Sequence, residues 1–453
     1  MTALQLMVTP QRSALLAGHA NTLNVLVRVR APAAPADRPA RQPLSLALVI
    51  DRSGSMSGRP LEEAKRCAEF IVDGLGPEDA VSLVTYDDHV RIAVPFRKVG
   101  DRAGLHAAIR AITSGGMTAL YDGWYEGAGQ AALGVERAGV SRVLLLSDGQ
   151  ANEGLTDPTD IAARCAAMAE AGVTTSTYGL GHNFNEDLMI RMAAAGRGNS
   201  YYGQTAEDLM DPFREEFDLL QALCARRLRL VLRAPGGITI EVRNRYARDA
   251  DGRWQLPDLA YGGEAWAAVR VTVPATSAAE QTGGETLVLE AALVFDDLDG
   301  QSHELAAPAL CLPWLTQDAF AAVASDPLVT ERLGELDAAD LQEEARTAAR
   351  RGDWDRCDAL LARALREAVD NPWLQGALET LRGYAARRET EAFAKETMYT
   401  TQRLRARLAD VDESAGRYGR EEESAKASFL RRKREQGKRM DVEPPSRTGK
   451  SQE

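Results

Sequence analysis

The sequence predicts an α/β domain that is inserted into an antiparallel β-sandwich and followed by a C-terminal helical region. Residues 45–224 alternate strand patterns with helix patterns, the segments on either side alternate polar and apolar residues, and a helical pattern begins at residue 316. Strands that alternate with helices indicate βαβ units, which form a mostly parallel sheet with helices on both faces. The 453 residues are enough for about three domains that each bury a core.

The α/β segment opens with the continuous apolar run 45–50, as expected for a strand that is buried on both faces. Apolar residues at helical spacing follow over 60–75, and Gly76-Pro77 ends that helix. Further strands are predicted at 80–85, 142–147 and 173–178, and further helices near 101–112, 119–138, 158–171, 185–195 and 205–222.

Both flanks of the α/β segment carry the alternation of sandwich strands. These strands are predicted at 4–9 and 22–30 on the N-terminal side, and at 227–233, 238–243, 265–273 and 285–295 on the C-terminal side. Asp251-Gly252 and Asp299-Gly300 stand where hairpin turns are needed. We interpret residues 1–44 and 225–315 as one antiparallel sandwich, although two small separate sheets would produce the same pattern.

The C-terminal part of the chain predicts helices and then a disordered tail. Residues 316–411 are rich in helix formers, and the stretch Gly352–Leu365 resembles one tetratricopeptide hairpin. A stable array needs about three such repeats, so we expect a small helical bundle instead. Residues 412–453 are charged and poor in large apolar residues, which predicts disorder. The basic run Leu430-Arg-Arg-Lys-Arg434 is either part of a solvated tail or a segment that docks on an acidic partner or RNA.

The charge and the cysteine content of the chain limit the classes of function that it can have. The net charge is −12, and residues 45–224, with 26 acidic and 15 basic side chains, hold −11 of it. This excess of acid argues against a general nucleic-acid or anionic-membrane binder. The chain shows no signal peptide and no apolar run near the ~18 residues of a membrane span. The five cysteines are odd in number and lack Cys-x-x-Cys spacing, which predicts reduced thiols and a cytoplasmic protein.

Small oxygen-bearing side chains lie at three separate points of the α/β segment. Asp51, Ser53 and Ser55 come directly after the first strand, Thr118 precedes a helix, and Asp148 follows strand 142–147. Ligands of open parallel sheets bind beyond the carboxyl ends of the strands, so we expect these side chains to meet. Taken singly, each has an ordinary explanation as a polar turn, a helix cap or an Asp-Gly turn.

Together the five side chains would supply two carboxylates, three hydroxyls and no nitrogen or sulphur. The i, i+2, i+4 spacing of Asp51, Ser53 and Ser55 can send alternate side chains of an extended loop to one side, and Gly54 allows a tight turn there. Such a set suits Mg²⁺ or Mn²⁺ better than zinc. Two carboxylates leave the cation under-neutralised, so we expect it to keep a position for water or for an outside carboxylate.

Residues 45–223 resemble the von Willebrand factor A (VWA) family and its metal-ion-dependent adhesion site (MIDAS). The resemblance rests on Leu-Val-Ile-Asp51-Arg-Ser-Gly-Ser-Met56, the Thr118 loop and Leu-Leu-Ser-Asp148-Gly, and it continues through Tyr178–Leu188 and Gly198–Tyr202. It implies a Rossmann-like fold with a complete site. The flanking strands and the helical end also look like the large bacterial group of intracellular proteins with this domain.

The resemblance also implies how the five residues act and what they bind. Ser53, Ser55 and Thr118 would bind the metal directly, while Asp51 and Asp148 would help through water or hydrogen bonds. A protein partner would complete the coordination with an Asp or Glu, and intracellular relatives operate beside AAA+ ATPases or kinase–phosphatase systems. In the adhesion receptors the last helix of the domain shifts on binding, so we expect coupling between helix 205–222 and the β domain that follows it.

Two functions remain open at this point. The first is a metal-dependent interaction module that acts as an adaptor or scaffold. The second is a structural or assembly protein in which the metal only stabilises the fold. We expect no enzyme activity, because the chain lacks the Gly-x-Ser-x-Gly nucleophile elbow of a hydrolase triad.

Overall fold

The computed structural model describes residues 4–34, 42–135, 139–149, 151–180, 185–203, 206–275, 284–368, 371–405 and 409–410. The strands are β1 (Gln5–Pro10), β2 (Leu15–Leu16), β3 (Asn21–Arg30), β4 (Leu44–Asp51), β5 (Ala80–Tyr86), β6 (Val90–Lys98), β7 (Val140–Ser147), β8 (Val173–Leu180), β9 (Arg197–Gly203), β10 (Leu223–Arg233), β11 (Thr239–Val242), β12 (Trp254–Gln255), β13 (Leu259–Ala260), β14 (Gly263–Val273), β15 (Glu285–Asp296), β16 (Ser302–Ala306), β17 (Leu310–Leu315) and β18 (Ala409–Asp410). The helices are α1 (Arg59–Gly74), α2 (Arg102–Arg110), α3 (Leu120–Ala132), α4 (Pro158–Glu170), α5 (Glu186–Ala195), α6 (Ala206–Ala222), α7 (Gln317–Ala321), α8 (Pro327–Arg350), α9 (Trp354–Glu367), α10 (Pro372–Ala386) and α11 (Thr390–Arg405).

The α/β domain is a six-stranded sheet with helices on both faces, as the sequence predicts. Its strand order is β6-β5-β4-β7-β8-β9, and β6 is the one antiparallel strand among the described residues. Helices α1, α2 and α6 share one apolar core with the sheet, and α3, α4 and α5 share another on the opposite face. The chain moves from β4 to β5 on one side and continues to β7 on the other side of β4, so the carboxyl ends of β4 and β7 form the switch point where such sheets bind ligands.

The sequence pattern located the central strands well but missed β9 at the sheet edge. All eight residues of β4 are buried, which agrees with its continuous apolar run. Strand β9 reads Arg-Gly-Asn-Ser-Tyr-Tyr-Gly, without the apolar run that marks a buried strand. Helix α3 ends at Ala132 rather than near residue 138. The chain then passes close to the sheet, where only glycine fits, because a Cβ at Gly134 would lie 2.2 Å from the Ser45 hydroxyl.

Helix α6 is anchored on the sheet by a buried ion pair between Glu216 and Arg142 of β7. The Glu216 carboxylate also accepts hydrogen bonds from Ser176 Oγ at 2.7 Å, Asn199 Nδ2 at 2.6 Å and Tyr201 OH at 2.9 Å. Burial by itself raises the pKa of Glu216, but Arg142 and these donors outweigh it and hold the pKa below its ordinary value. Helix α6 then passes directly into β10 without a linker.

Strands from both flanks form two sheets that pack face to face on one common core. One sheet has the order β1-β3-β14-β11, with β18 also on β14, and the other has the order β12-β10-β15-β17-β2. A common core joins the two sheets, for example Val27 of β3 with Leu230 of β10 and Leu293 of β15. The pairing is antiparallel except between β2 and β17, which are parallel. Gly252 and Gly300 have φ of 78° in the two predicted turns.

The C-terminal helices form a bundle that rests on the sandwich. Helices α8, α9, α10 and α11 contribute to one apolar core, and β18 after them pairs with β14. Val329, Leu333 and Leu336 of α8 pack against Trp266 and its neighbours on the outer face of the sandwich. The predicted tail, residues 412–453, lies outside the described residues together with its basic run.

Two further expectations concern the thiols and the membrane. All five cysteines are free thiols, as their spacing predicts; they are Cys67, Cys165, Cys224, Cys311 and Cys357. Within the part of the chain that the structure describes, no helix is both long enough and apolar enough to cross a lipid bilayer.

Candidate metal centre

Asp51 is the last residue of β4, and its carboxylate is fully buried at the switch point. One oxygen accepts the Ser53 backbone N–H at 2.9 Å. The other accepts the Ser147 hydroxyl at 2.6 Å and the Tyr86 hydroxyl at 3.3 Å. Burial raises the pKa of Asp51 to about 6, and nearby Asp148 adds to the rise, while the hydrogen bonds from Ser147 and Ser53 partly offset it. The site therefore holds a carboxylate whose negative charge protein groups alone do not fully stabilise.

Ser53 and Ser55 place two hydroxyls beside this carboxylate. Ser53 is buried and Ser55 is exposed, and their Oγ atoms lie 3.1 Å apart. Gly54 lies between them at the start of a short 3₁₀ turn, Gly54–Met56. In an octahedral Mg²⁺ site with bonds of about 2.0–2.1 Å, neighbouring ligand oxygens are about 2.9 Å apart. The observed separation is therefore close to that of two adjacent ligands of one cation.

The Thr118 loop is tied to the other two loops by backbone hydrogen bonds. Gly54 N–H donates to Gly116 O at 3.1 Å, and Gly115 N–H donates to Arg52 O at 2.8 Å. Thr118 is buried, and its own N–H donates to Asn152 Oδ1 at 2.8 Å. Because Asn152 belongs to the loop after β7, one network fixes the loops that carry Ser53, Thr118 and Asp148.

Asp148 follows β7 and is buried, and its loop packs against the start of α5. Its carbonyl oxygen accepts the Asn185 N–H at 2.9 Å. Gly149 has φ of +71°, and a Cβ there would lie 3.0 Å from Met189 Cγ and 3.1 Å from Asn185 O. Only glycine fits this close approach without strain. The Gly149 N–H also donates to Ser147 Oγ at 2.7 Å, so Ser147 links the Asp148 loop to Asp51.

The structure therefore brings the loops of all five predicted residues to one edge of the sheet. Direct interactions join Asp51 to Ser53, Ser53 to Ser55, and Asp51 to Asp148 through their charges. Thr118 is linked to the others through the backbone of its loop. Two carboxylates and three hydroxyls form an all-oxygen donor set, which fits Mg²⁺ or Mn²⁺.

Three supporting residues were missed by reasoning from the sequence. Tyr86 ends β5 and lies opposite Asp51 in the register of the parallel pair, so its position at a strand end was an available signal. Ser147 and Asn152 flank Asp148 but have no distinguishing local pattern. Their hydrogen bonds hold Asp51 and Thr118 in place.

A second group of possible ligands lies in the loop after β5. Asp87, Asp88 and His89 are, among the described residues, the one group of carboxylate and imidazole side chains close enough to share an ion. Asp87 already pairs with Arg52 at 2.7 Å, and Asp88 pairs with His89 at 3.2 Å. These partners make the group a poorer cation site than the hydroxyl-rich set beside it.

Comparison with known proteins agrees with this architecture. Residues 45–215 match the family model of the von Willebrand factor type A domain. An uncharacterized protein of Synechocystis, sll0103, is 30% identical over 210 residues, which is 46% of this chain and 48% of that protein. The YfbK protein of Escherichia coli is 34% identical over 174 residues, or 38% of this chain and 30% of that protein. The chain thus spans no more than about half the length of either relative.

A solved structure extends the likeness beyond the α/β domain. The structure of a von Willebrand factor type A protein from Catenulispora acidiphila matches with a TM-score of 0.68 at 19% sequence identity. The match covers 83% of this chain and 89% of that chain. The two proteins therefore share the fold over most of their length.

Proposed function

We propose that this chain, which contains a von Willebrand factor type A domain, is a metal-dependent protein–protein interaction module with a complete MIDAS. As an adaptor or scaffold it binds a partner carboxylate through Mg²⁺, or Mn²⁺, held by Asp51, Ser53, Ser55, Thr118 and Asp148. The observation that carries the proposal is the convergence of three loops at the switch point, where they present an all-oxygen donor set.

The hydrogen bonds support different roles for the five residues, some in direct contact with the cation and some outside it. Ser53, Ser55 and Thr118 hold the cation directly. Both oxygens of Asp51 already accept hydrogen bonds from protein donors, which suits a carboxylate that acts from outside the first coordination shell. The bound cation supplies a coordination position for an Asp or Glu oxygen of the partner.

A binding role agrees better than catalysis with the surroundings of the site. Met117, next to Thr118, is 50% exposed, so a flexible apolar side chain is available to a partner beside the proposed metal position. We propose no enzyme activity, a protein partner such as an AAA+ ATPase or a kinase–phosphatase system, and a cytoplasmic location. The free thiols support that location. The acidic charge of the domain argues against nucleic acid and membrane surfaces as ligands.

The alternative is a structural or assembly protein in which the cation only stabilises the fold. The observation in its favour is the buried Asp51 carboxylate: burial raises its pKa, and a cation beside a carboxylate favours the ionised form. In that case the metal raises the melting temperature but has no effect on which proteins bind.

Capture of partners from lysate distinguishes the two functions. The full chain and its Asp51→Ala variant are each used in Mg²⁺ and in chelator, with Asp101→Ala as the control. Asp101 caps α2 through the Gly104 N–H, so its replacement costs stability without touching the metal site. Partners that are lost on chelation and in Asp51→Ala, but kept in the control, support the adaptor. Identical partners in all samples, with only a lower melting temperature in Asp51→Ala, would refute it.

A further inference from the structure

The loop that carries Asp148 is hydrogen-bonded to the start of α5, and the first turn of α5 forms ion pairs with the C-terminal helices. Asp148 O accepts the N–H of Asn185, the N-terminal cap of α5. The next two residues of α5, Glu186 and Asp187, face three cationic side chains: Arg346 and Arg350 of α8, and Lys395 of α11.

The distances define an ionic network rather than a single pair. Asp187 lies 3.5 Å from Arg346 and 3.2 Å from Arg350, and Glu186 lies 3.8 Å from Arg350 and 3.9 Å from Lys395. Arg346 also pairs with Glu343 of its own helix at 2.5 Å, which orients its guanidinium beside Asp187. Lys395 also lies over the ring of Tyr202 in β9, 5.2 Å from its centroid. We call these five charged residues, Glu186, Asp187, Arg346, Arg350 and Lys395, the α5 clamp.

Several members of the α5 clamp are shielded from water, which has two opposing effects. It reduces the screening of their charges, but burial also raises the pKa of Glu186 and lowers the pKa of Lys395 despite their charged partners. The side chains of Glu186, Arg346 and Lys395 are 12%, 13% and 13% exposed. Isolated exposed ion pairs contribute little to stability, whereas partly buried networks are screened less by solvent and salt. Burial tends to raise the pKa of Asp187, but Arg350 and Arg346 outweigh it and lower the pKa, as expected for a carboxylate held by cations.

The cationic side of the clamp is itself held in place by the sandwich. Near its middle, α8 carries Asp337 and Asp340, which pair with Arg243 at 2.8 and 3.1 Å, and Arg245 pairs with Asp340 at 2.9 Å. Leu333 of the same helix packs on the sandwich face. Helix α8 therefore contacts two parts of the protein. Asp337 and Asp340 bind the sandwich, and Arg346 and Arg350, nearer the C-terminal end of the helix, bind α5 of the α/β domain.

We propose that Arg346, Arg350 and Lys395 are positioning residues for the candidate metal centre. They hold the first turn of α5, and the Asn185 N–H then fixes the loop that carries Asp148. The inference rests on the proposed function, since it requires that the MIDAS binds a cation. It assigns to the C-terminal helices a role in tuning the affinity of a site to which they contribute no ligand.

Titration calorimetry of the full chain with Mn²⁺ tests the inference. In Arg346→Ala/Arg350→Ala we expect an affinity about three- to tenfold weaker, below the ~10–100-fold typical of direct outer-shell partners of a metal ligand. Electrostatics alone predicts the opposite sign, because removing two positive charges near a cation site should tighten cation binding. The direction of the change therefore separates positioning from a general charge effect.

Two matched variants complete the experiment. Arg346→Lys/Arg350→Lys keeps both charges and is expected to keep the wild-type affinity. Arg363→Ala/Arg382→Ala removes two charges that pair within their own helices, with Glu367 and Glu379, and is expected to leave the affinity unchanged. Hydrogen exchange of the amides at 185–189 should become faster in Arg346→Ala/Arg350→Ala, while exchange in β7 stays as in wild type.

The outcomes distinguish this inference from the function on which it rests. Unchanged or tighter Mn²⁺ binding in Arg346→Ala/Arg350→Ala, when wild type binds and Ser53→Ala does not, overturns the positioning role and leaves the proposed function standing. Weaker binding with faster exchange across the whole α/β sheet overturns it too, since the loss would be general. If wild type binds no more Mn²⁺ than Ser53→Ala, both proposals fail.

Discussion

Replacing Glu216 with glutamine tests whether the buried ion pair anchors the last helix of the α/β domain. Glu216 and Arg142 each have 2% of their side chains exposed, so the variant leaves the Arg142 charge buried without its paired carboxylate. Breaking a buried pair by removing one partner costs about 3–5 kcal/mol. For a domain of this size, 1 kcal/mol corresponds to about 2–4 °C, so we expect the melting temperature to fall by about 6–20 °C.

The double variant Arg142→Met/Glu216→Gln provides the control for this loss. It removes both charges. In wild type, Asn199 and Tyr201 donate hydrogen bonds to the Glu216 carboxylate, and the amide oxygen of a glutamine at 216 can still accept them. We expect it to be more stable than Glu216→Gln alone, because an uncharged pair leaves no buried ion. The assay is urea denaturation followed by circular dichroism, with hydrogen exchange to locate the change in α6 and β10. A loss below about 1 kcal/mol in Glu216→Gln would refute the reasoning, since that is the range of an exposed ion pair.

The pH dependence of the same variant has a defined sign. The pKa of Glu216 is lower in the folded protein than its ordinary value of 4.5, so the folded state favours the ionised form. Its contribution to the free energy of unfolding is present above pH 4.5 and is lost as the pH falls through the folded pKa. The stability difference between wild type and Glu216→Gln should therefore shrink on acidification below that value. A difference that grows on acidification would contradict the assignment.

Three further predictions concern the metal centre. Ser53→Ala should abolish Mn²⁺ binding in calorimetry with little effect on circular dichroism, and retained binding would exclude Ser53 as a ligand. Gly149→Ala should cost about 1–3 kcal/mol in urea denaturation, because φ is +71° and the new Cβ meets Asn185, and it should cost more than Gly262→Ala, where φ is +74° in open space. The pKa of Asp51 is about 6 in the folded protein and 3.8 ordinarily, so the unfolded state loses the proton first as the pH rises. In chelator the free energy of unfolding should therefore fall by about 3 kcal/mol between these two pH values. The melting-temperature gain from Mg²⁺ should then be larger at pH 7.5 than at pH 5, and a larger gain at pH 5 would contradict this.

The Glu216 anchor also bears on the expected coupling between helix 205–222 and the β domain. Helix α6 runs into β10 without a linker, so a shift of the helix would reach the sandwich directly. Such a shift must break or carry along the ion pair with Arg142 and the hydrogen bonds from Ser176, Asn199 and Tyr201. The coupling is still a prediction. It is tested by comparing hydrogen exchange of the amides in 206–243 before and after Mg²⁺ and a partner are added, and unchanged exchange would contradict it.

The amino-acid sequence by itself predicted the α/β order, the sandwich strands β1, β3, β10, β11, β14 and β15, and the five candidate ligands, but not the strands β2, β12, β13, β16, β17 and β18. A continuous apolar run predicts a buried strand, and Asp51, Ser53, Ser55 and Asp148 come directly after such strands, whose carboxyl ends lie at one edge of a parallel sheet. Asp51 could be placed beside Asp148 for that reason, although they are far apart in the chain. Thr118 precedes a helix instead, and its place in the set comes from the resemblance to the VWA family.

Only the tertiary structure decided which residues support the candidate ligands and which parts of the chain meet. Tyr86, Ser147 and Asn152 were not identified because hydrogen bonds to Asp51 and Thr118 depend on sheet register and loop packing. The polar edge strand β9 forms because β8 offers it a partner, and its own composition does not predict a strand. The α5 clamp likewise joins helices more than 150 residues apart, and no local pattern specifies contacts that depend on how separately folded domains pack together.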